Sequence, residues 1–220
     1  MPGRPSITSA AQPRRRYAPR LPPEQRREQL IDAALSVILE QGYGGVSMEA
    51  VARTAGVTRP VVYDHFPNLG RLLHALIERE EQYAIEQLEE IVPDDPGELD
   101  PTELFAGGVR RFLEAVADRP ATWRIILLPL DGTPEVVRDH VETNRARTQK
   151  RIENLVRVAL GQADLRTDLD VELVAHAIRA LGEEAGRTVL TDPERYSPDR
   201  YAEFVTSLMK LVWPLNPTNS

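Results

Sequence analysis

Apolar residues recur at helical spacing along most of the chain, and no stretch alternates as a half-buried strand does. Over residues 22–41, Leu30, Ala34, Val37 and Ile38 form one stripe, and Gly42 supplies a stop. Residues 47–55 set Val51, Ala52 and Ala55 against the polar Glu49, Arg53 and Thr54. Gly56 then stands where the chain must take a left-handed or open conformation, which glycine adopts without a Cβ clash. Thr58 is suited to cap a second short helix, and Pro60 falls in its first turn, where a missing N–H does no harm. On that helix Val62 and Phe66 lie four apart and face inward, Arg59, Pro60 and Tyr63 face outward, and Val61 and His65 sit on the flank. Two short helices joined by a glycine turn outline a helix-turn-helix.

Asn68 is a candidate N-cap for a long helix to residue 92 along Leu69, Leu72, Leu73, Leu76, Ile77, Tyr83, Leu88 and Ile91. A Pro-, Gly- and Asp-rich loop over 94–101 ends it. Further helices are predicted over 102–118, 121–128, 135–160, 171–191 and 198–213, with breaks at Arg119-Pro120, 129–134, 161–170 and Asp192-Pro193. The expectation is an all-α protein of about nine helices. Residues 1–20, rich in Pro, Ser, Ala and Arg without periodicity, read as a flexible basic arm. Three helices over 21–68 form one domain and the helices of 69–220 a second.

Composition narrows the chemistry. A chain of 220 residues, 41% hydrophobic, can bury a substantial core. It has no Cys, which excludes disulfides and thiolate metal sites. No apolar run approaches the ~18 residues of a membrane helix and no signal-peptide block opens the chain, so a cytoplasmic location without membrane contact is expected. The net charge of -7 conceals an asymmetry. Residues 1–80 hold 11 Arg against 8 Asp or Glu, a net +3, while the remainder nets -10. Residues 1–27 alone carry 7 Arg and one Glu. A basic end on an acidic remainder orients the helix-turn-helix toward phosphates.

Five fragments occur in order: Glu40-Gln41-Gly42-Tyr43, Ser47-Met48-Glu49-Ala50-Val51-Ala52, Ala55-Gly56-Val57-Thr58, Val62-Tyr63-Asp64-His65-Phe66 and Leu72-Leu73. In this order and spacing, from about Arg27 to Leu76, the sequence resembles the TetR family of bacterial one-component transcriptional regulators. The resemblance implies that residues 21–68 bind DNA and that 69–220 sense a ligand and dimerise. It implies a homodimer, most often a repressor, that releases a palindromic double-stranded DNA operator when a small-molecule effector enters. Many members carry a Lys opening the fourth helix that touches phosphate. Here Leu69 and Gly70 stand there, which leaves Arg71 or the Arg14-Arg15-Arg16 arm as substitutes.

Arg59 is the candidate for base reading, because its fork matches the N7 and O6 acceptors of guanine. Pro60 and Val61 can contact a thymine methyl, and Arg53 can serve base or phosphate. Ser47, Thr58, Tyr63 and His65 are phosphate candidates, which position the helix without reading sequence. Tyr63 and His65 match the family motif directly.

The default reading of Phe105, Val109, Phe112 and Trp123 is core packing. The functional one is a hydrophobic sensor pocket beside a short helix bracketed by Pro120 and Pro129, with His140, Asn144 and Tyr83 as polar partners. Broad stripes on the last two helices, Val174, Ile178, Leu181 and Ala185 on one and Tyr201, Phe204, Val205, Leu208 and Leu211 on the other, suggest burial on more than one side. The family dimerises through this helix pair. His74, His140 and His176 share no metal-ligand spacing, so no metal or cofactor is expected. The alternatives are an all-helical enzyme or a protein-interaction module with a helix-turn-helix-like head. No nucleophile with a base, metal cluster or phosphate loop supports the enzyme.

Overall fold

The computed structural model describes residues 21–91, 100–128, 132–162 and 169–212. Among them are nine α-helices and no strand: α1 (Pro23–Gln41), α2 (Met48–Thr54), α3 (Arg59–His65), α4 (Leu69–Ile91), α5 (Pro101–Asp118), α6 (Pro120–Leu127), α7 (Glu135–Gln162), α8 (Val171–Thr191) and α9 (Pro198–Val212). A 3-10 turn over Tyr43–Gly45, which the periodicity does not announce, follows α1. The expected basic arm 1–20, most of the loop after α4, Pro129 and Trp213 lie outside the described residues. No helix among the described residues is long and apolar enough to cross a membrane.

Local chemistry explains most helix ends. Gly42 takes φ 70°, and its N–H closes on the Ile38 carbonyl at 2.8 Å to stop α1. Ser47 Oγ accepts the Ala50 N–H at 3.0 Å, Asn68 Oδ1 accepts that of Arg71 at 2.9 Å, and Asp100 and Asp170 cap α5 and α8 in the same way. Prolines fall in the first turns of α1, α3, α5 and α6, where no intrahelical donor is lost.

The core of the N-terminal helices joins Leu30, Ile38, Val51, Val62 and Phe66 to Leu72 and Leu76 of α4, and it also takes in Ile125 of α6 and Val137 of α7. A second core contains Ala84, Leu113, Val116, Trp123, Leu127 and Val189. Helix α6 therefore places Ile125 in one core and Trp123 and Leu127 in the other. Arg79 ties the same elements together. It bonds Glu28 and Asp32 of α1 at 3.0 and 2.7 Å and the buried Glu80 at 2.7 Å, and Thr122 of α6 donates to the other Glu80 oxygen. Burial pulls the Arg79 pKa down, but the bonds to Glu28, Glu80 and Asp32 outweigh it and the guanidinium ends above its ordinary range.

Helix α9 lies along α5, and α7 along α8. A Cβ at Gly186 would come within 2.6 Å of the Leu127 side chain, so glycine lets α8 close on α6. The apolar stripes of α8 and α9 are divided by this packing. Ala185 is buried beside Phe112 and Leu127 in the second core, and Tyr201 packs against that core with its hydroxyl on Thr188. Val174 and Ile178 pack against Ile152, Val156 and Ala175. Val205 is half-buried, while Leu181, Phe204 and Leu208 stand outward, 69%, 60% and 42% exposed.

Candidate DNA-reading face and effector cavity

Gly56, at φ 67°, turns the chain between α2 and α3, and the Val57 N–H returns to the Ala52 carbonyl at 2.9 Å. Gln29 of α1 braces the turn by donating to the Ala55 carbonyl. Val57 packs on the N-terminal core, and Val62 and Phe66 are buried in it. Burial of these residues leaves Thr58, Arg59, Pro60 and Tyr63 exposed on one side of α3, with Val61 and His65 half-buried at its margin. Thr58 occupies the N-cap position but makes no side-chain cap bond, so its hydroxyl is not committed to the helix end. Ser47 uses its oxygen to cap α2, which leaves its hydroxyl hydrogen able to donate outward. Arg53 is exposed at the last turn of α2.

Arg59 Nη2 donates to Tyr63 Oη at 3.4 Å, and the guanidinium carbon lies 5.8 Å from the Tyr63 ring centroid. The hydrogen bond to Tyr63 raises the Arg59 pKa further, so the fork stays charged wherever DNA is bound. The arrangement is a short helix with a cationic fork, a phenol and a hydroxyl at its outer surface. Its dimensions suit insertion into a major groove.

The second feature is a cavity of about 540 Å³ lined by α4, α5, α6, α7 and α8. Of the pocket residues expected from the sequence, Phe105, Val109, Phe112, Trp123 and Asn144 line it. Phe112 and Trp123 meet edge to face at 5.1 Å, and Trp123 Nε1 donates to Gln87. The two other expected residues do not line it. Tyr83 lies under the Arg119 guanidinium at 4.3 Å, because the cavity side of α4 runs through Glu81, Ala84, Ile85 and Leu88, and a residue two positions after Glu81 points almost oppositely. His140 sits one turn before Asn144, where α7 meets α4. Its Nδ1 pairs with Glu81 Oε2 at 2.8 Å and its ring meets that of His74 edge to face at 5.8 Å. Among the described residues no three His, Cys, Asp or Glu side chains gather as metal ligands.

Sequence reasoning missed Glu81, which is buried on the cavity wall. It also missed the ionic group on α7 and α8, where Glu183 binds Arg145, Arg179 and Arg187. Tyr43 was known from the sequence only as part of a motif. Its hydroxyl is buried without a partner, and burial, then the charge of Glu81, raise its pKa. Tyr43→Phe is accordingly expected to leave thermal stability unchanged or to raise it by about 1 kcal/mol, since an unsatisfied hydroxyl is removed. A lower Tm by calorimetry would show that the hydroxyl is bonded in solution.

A helix-turn-helix with an exposed polar face, joined through shared helices to a cavity-bearing helical body, defines a class: DNA-binding regulators. The family model for bacterial regulatory proteins of the tetR family matches residues 30–76, and that for the tetracyclin repressor-like C-terminal domain matches 127–202. The HTH-type transcriptional regulator SrpR of Pseudomonas putida is 26% identical over 194 residues, covering 87% of this chain and 85% of SrpR. The HTH-type transcriptional activator FasR of Mycolicibacterium smegmatis is 42% identical over 60 residues, 27% of either chain. A TetR-like regulator from Rhodococcus sp. RHA1 superposes with a TM-score of 0.66 at 26% identity, covering 88% of this chain and all of that one. The chain belongs to the TetR family and is a DNA-binding transcriptional regulator.

Proposed function

We propose that the protein is a ligand-responsive repressor that binds a palindromic operator as a homodimer and releases it when an apolar small molecule enters the cavity. Arg59 reads guanine, Pro60, Val61 and Arg53 complete the base contacts, and Ser47, Thr58, Tyr63 and His65 hold phosphates. The observation that carries the reading is the position of α6, with Trp123, Ile126 and Leu127 at the cavity and Ile125 in the core of the DNA-binding helices. A ligand that displaces Trp123 must move Ile125, because both project from a single rigid turn. The outward apolar residues of α8 and α9 supply the dimer contact.

The test is a gel shift on the DNA upstream of the protein's own gene, followed by transcription from that template in vitro. Retardation with a reduced transcript supports the reading. Absence of retardation, or an increased transcript, overturns repression at this site.

Gly108→Leu isolates the ligand half of the proposal. Gly108 lines the cavity on α5, and a Cβ there meets nothing within 4 Å. Leucine in a helix is favoured over glycine by up to about 1 kcal/mol, so Tm is expected to hold or rise. The filled cavity is expected to keep the repressor on DNA in the presence of any effector that releases the parent. Release at the parent's effector concentration would show that the effector binds elsewhere.

A further inference from the structure

The cavity wall differs from helix to helix. Ala84, Phe105, Phe112 and Trp123 of α4, α5 and α6 present apolar surface, while α7 brings Arg145, Arg147, Lys150 and Arg151 to the same space within about two turns. Three cations of the wall are matched by carboxylates: Arg145 and Arg179 bind Glu183 at 3.2 and 2.6 Å, and Arg151 lies 3.7 Å from Glu89. Arg147 and Lys150 meet no carboxylate among the described residues. Both are exposed, so they stand where the cavity opens to solvent. One turn from Arg147 are Thr143, Asn144, Lys150 and Arg151, so its own helix surrounds it with like charge and no acid. Glu153, three residues after Lys150, accepts from Gln149 instead. Asn144 and Thr148, four apart on the same wall, are half-buried and make no hydrogen bond to protein among the described residues. Neither is sealed in, because the side-chain polar atoms shut away without a partner are those of Tyr43 and Glu81. We propose that the cavity binds an amphiphile with a carboxylate or phosphate head, held at the rim by Arg147 and Lys150 and hydrogen-bonded by Asn144 and Thr148. The inference rests on the reading of the cavity as the effector site and adds a charged head to the apolar body of that reading.

Charge decides between head groups. Arg147 and Lys150 lie one turn apart on α7, where like charges repel and weaken the helix until an anion sits between them. An ammonium head adds to that repulsion. A hydroxyl can use Asn144 and Thr148 but leaves the repulsion in place. The carboxylates of the wall do not reverse the sign at the rim. Glu183 is shared by Arg145, Arg179 and Arg187, Glu89 faces Arg151, and Glu81 is buried against His140. A guanidinium fork, an ammonium and two neutral donors together suit an oxyanion. The tail of the amphiphile gains by leaving water for Phe105, Phe112 and Trp123.

The test is calorimetric titration of the full chain at low salt with dodecanoate, dodecyl phosphate, dodecanol and dodecyltrimethylammonium, each below its micellar concentration. The four share one tail and differ in the head. At least one anion is expected to bind about tenfold or more tightly than the alcohol, as charge-assisted hydrogen bonds require, and the ammonium most weakly. The tighter anion names the head. With Arg147→Gln and Lys150→Gln combined, the anions are expected to fall to the level of the alcohol, with the alcohol unchanged. Both positions are exposed, so folding survives the pair. In Gly108→Leu, which fills the cavity, alcohol and anions alike are expected to lose binding. Equal binding of alcohol and anions by the parent, or tightest binding of the ammonium, overturns the anionic head while leaving the effector cavity intact. An anion preference that survives the double substitution overturns the assignment of Arg147 and Lys150. Anions that still bind Gly108→Leu are held on the outer surface, which overturns it as well. Failure of all four probes to bind the parent overturns the head and the effector reading together.

Discussion

Leu208→Asp is expected to turn the protein into a monomer in sedimentation and to lower its affinity for a palindromic operator about a hundredfold or more. Five large apolar side chains stand exposed on the last two helices: Leu173, Leu181, Phe204, Leu208 and Leu211. Such a concentration on one pair of elements is what motivates the proposal that a second copy covers this surface. An aspartate at 208 is harmless in the isolated protomer, where the position faces water, but at an interface it becomes an unpaired charge among apolar groups. The effect on DNA follows from linkage of the two heads. A second head bound through its partner acts at high effective concentration, and avidity of this kind is worth roughly 10² to 10⁴ in affinity. Unchanged far-UV circular dichroism would confirm that folding survives. A dimer that persists in sedimentation would place the interface elsewhere.

Arg59→Ala is expected to lower affinity for the preferred operator roughly tenfold to a hundredfold while changing affinity for random DNA little. A bidentate contact to guanine carries ~1–3 kcal/mol of discrimination, and it is lost only where guanine stands at that position. Arg59 is exposed on α3 and held near Tyr63 by a single long hydrogen bond, which leaves its fork available. Tyr63→Phe removes only a hydroxyl and is expected to weaken both kinds of DNA alike. Neither substitution touches Val62 or Phe66, which hold α3 to the core. Fluorescence anisotropy on the two DNAs separates the outcomes. Equal losses for Arg59→Ala would make Arg59 a phosphate contact and move base reading to Pro60, Val61 and Arg53.

The sequence alone determined where helices begin and end and which side of α3 faces outward. The glycines at 42 and 56 take left-handed φ, Ser47 and Asn68 cap, and prolines open first turns, all of which are local chemistry. The expected 102–118 and 135–160 accordingly meet the observed Pro101–Asp118 and Glu135–Gln162. The inward pair Val62 and Phe66 was legible because one face of a short surface helix has a single core to meet.

Tertiary structure decided what lines the cavity. Helix α4 packs against α1, α5, α6 and α7, so several of its faces are covered, and periodicity does not say which neighbour each face meets. Tyr83 and His140 were expected at the cavity with Asn144 on chemical suitability, but the rotation of α4 turns Glu81 rather than Tyr83 toward it, and His140, one turn before Asn144, is taken up by its pairing with Glu81. Glu81 itself follows Glu78-Arg79-Glu80, a run of charges that reads as a solvated face until α6 and α7 cover it. The same applies to Ala185 and Leu181 on α8, four residues apart. A stripe drawn from sequence joins them, and only the closure of α8 on α6 at Gly186 buries one and leaves the other in water.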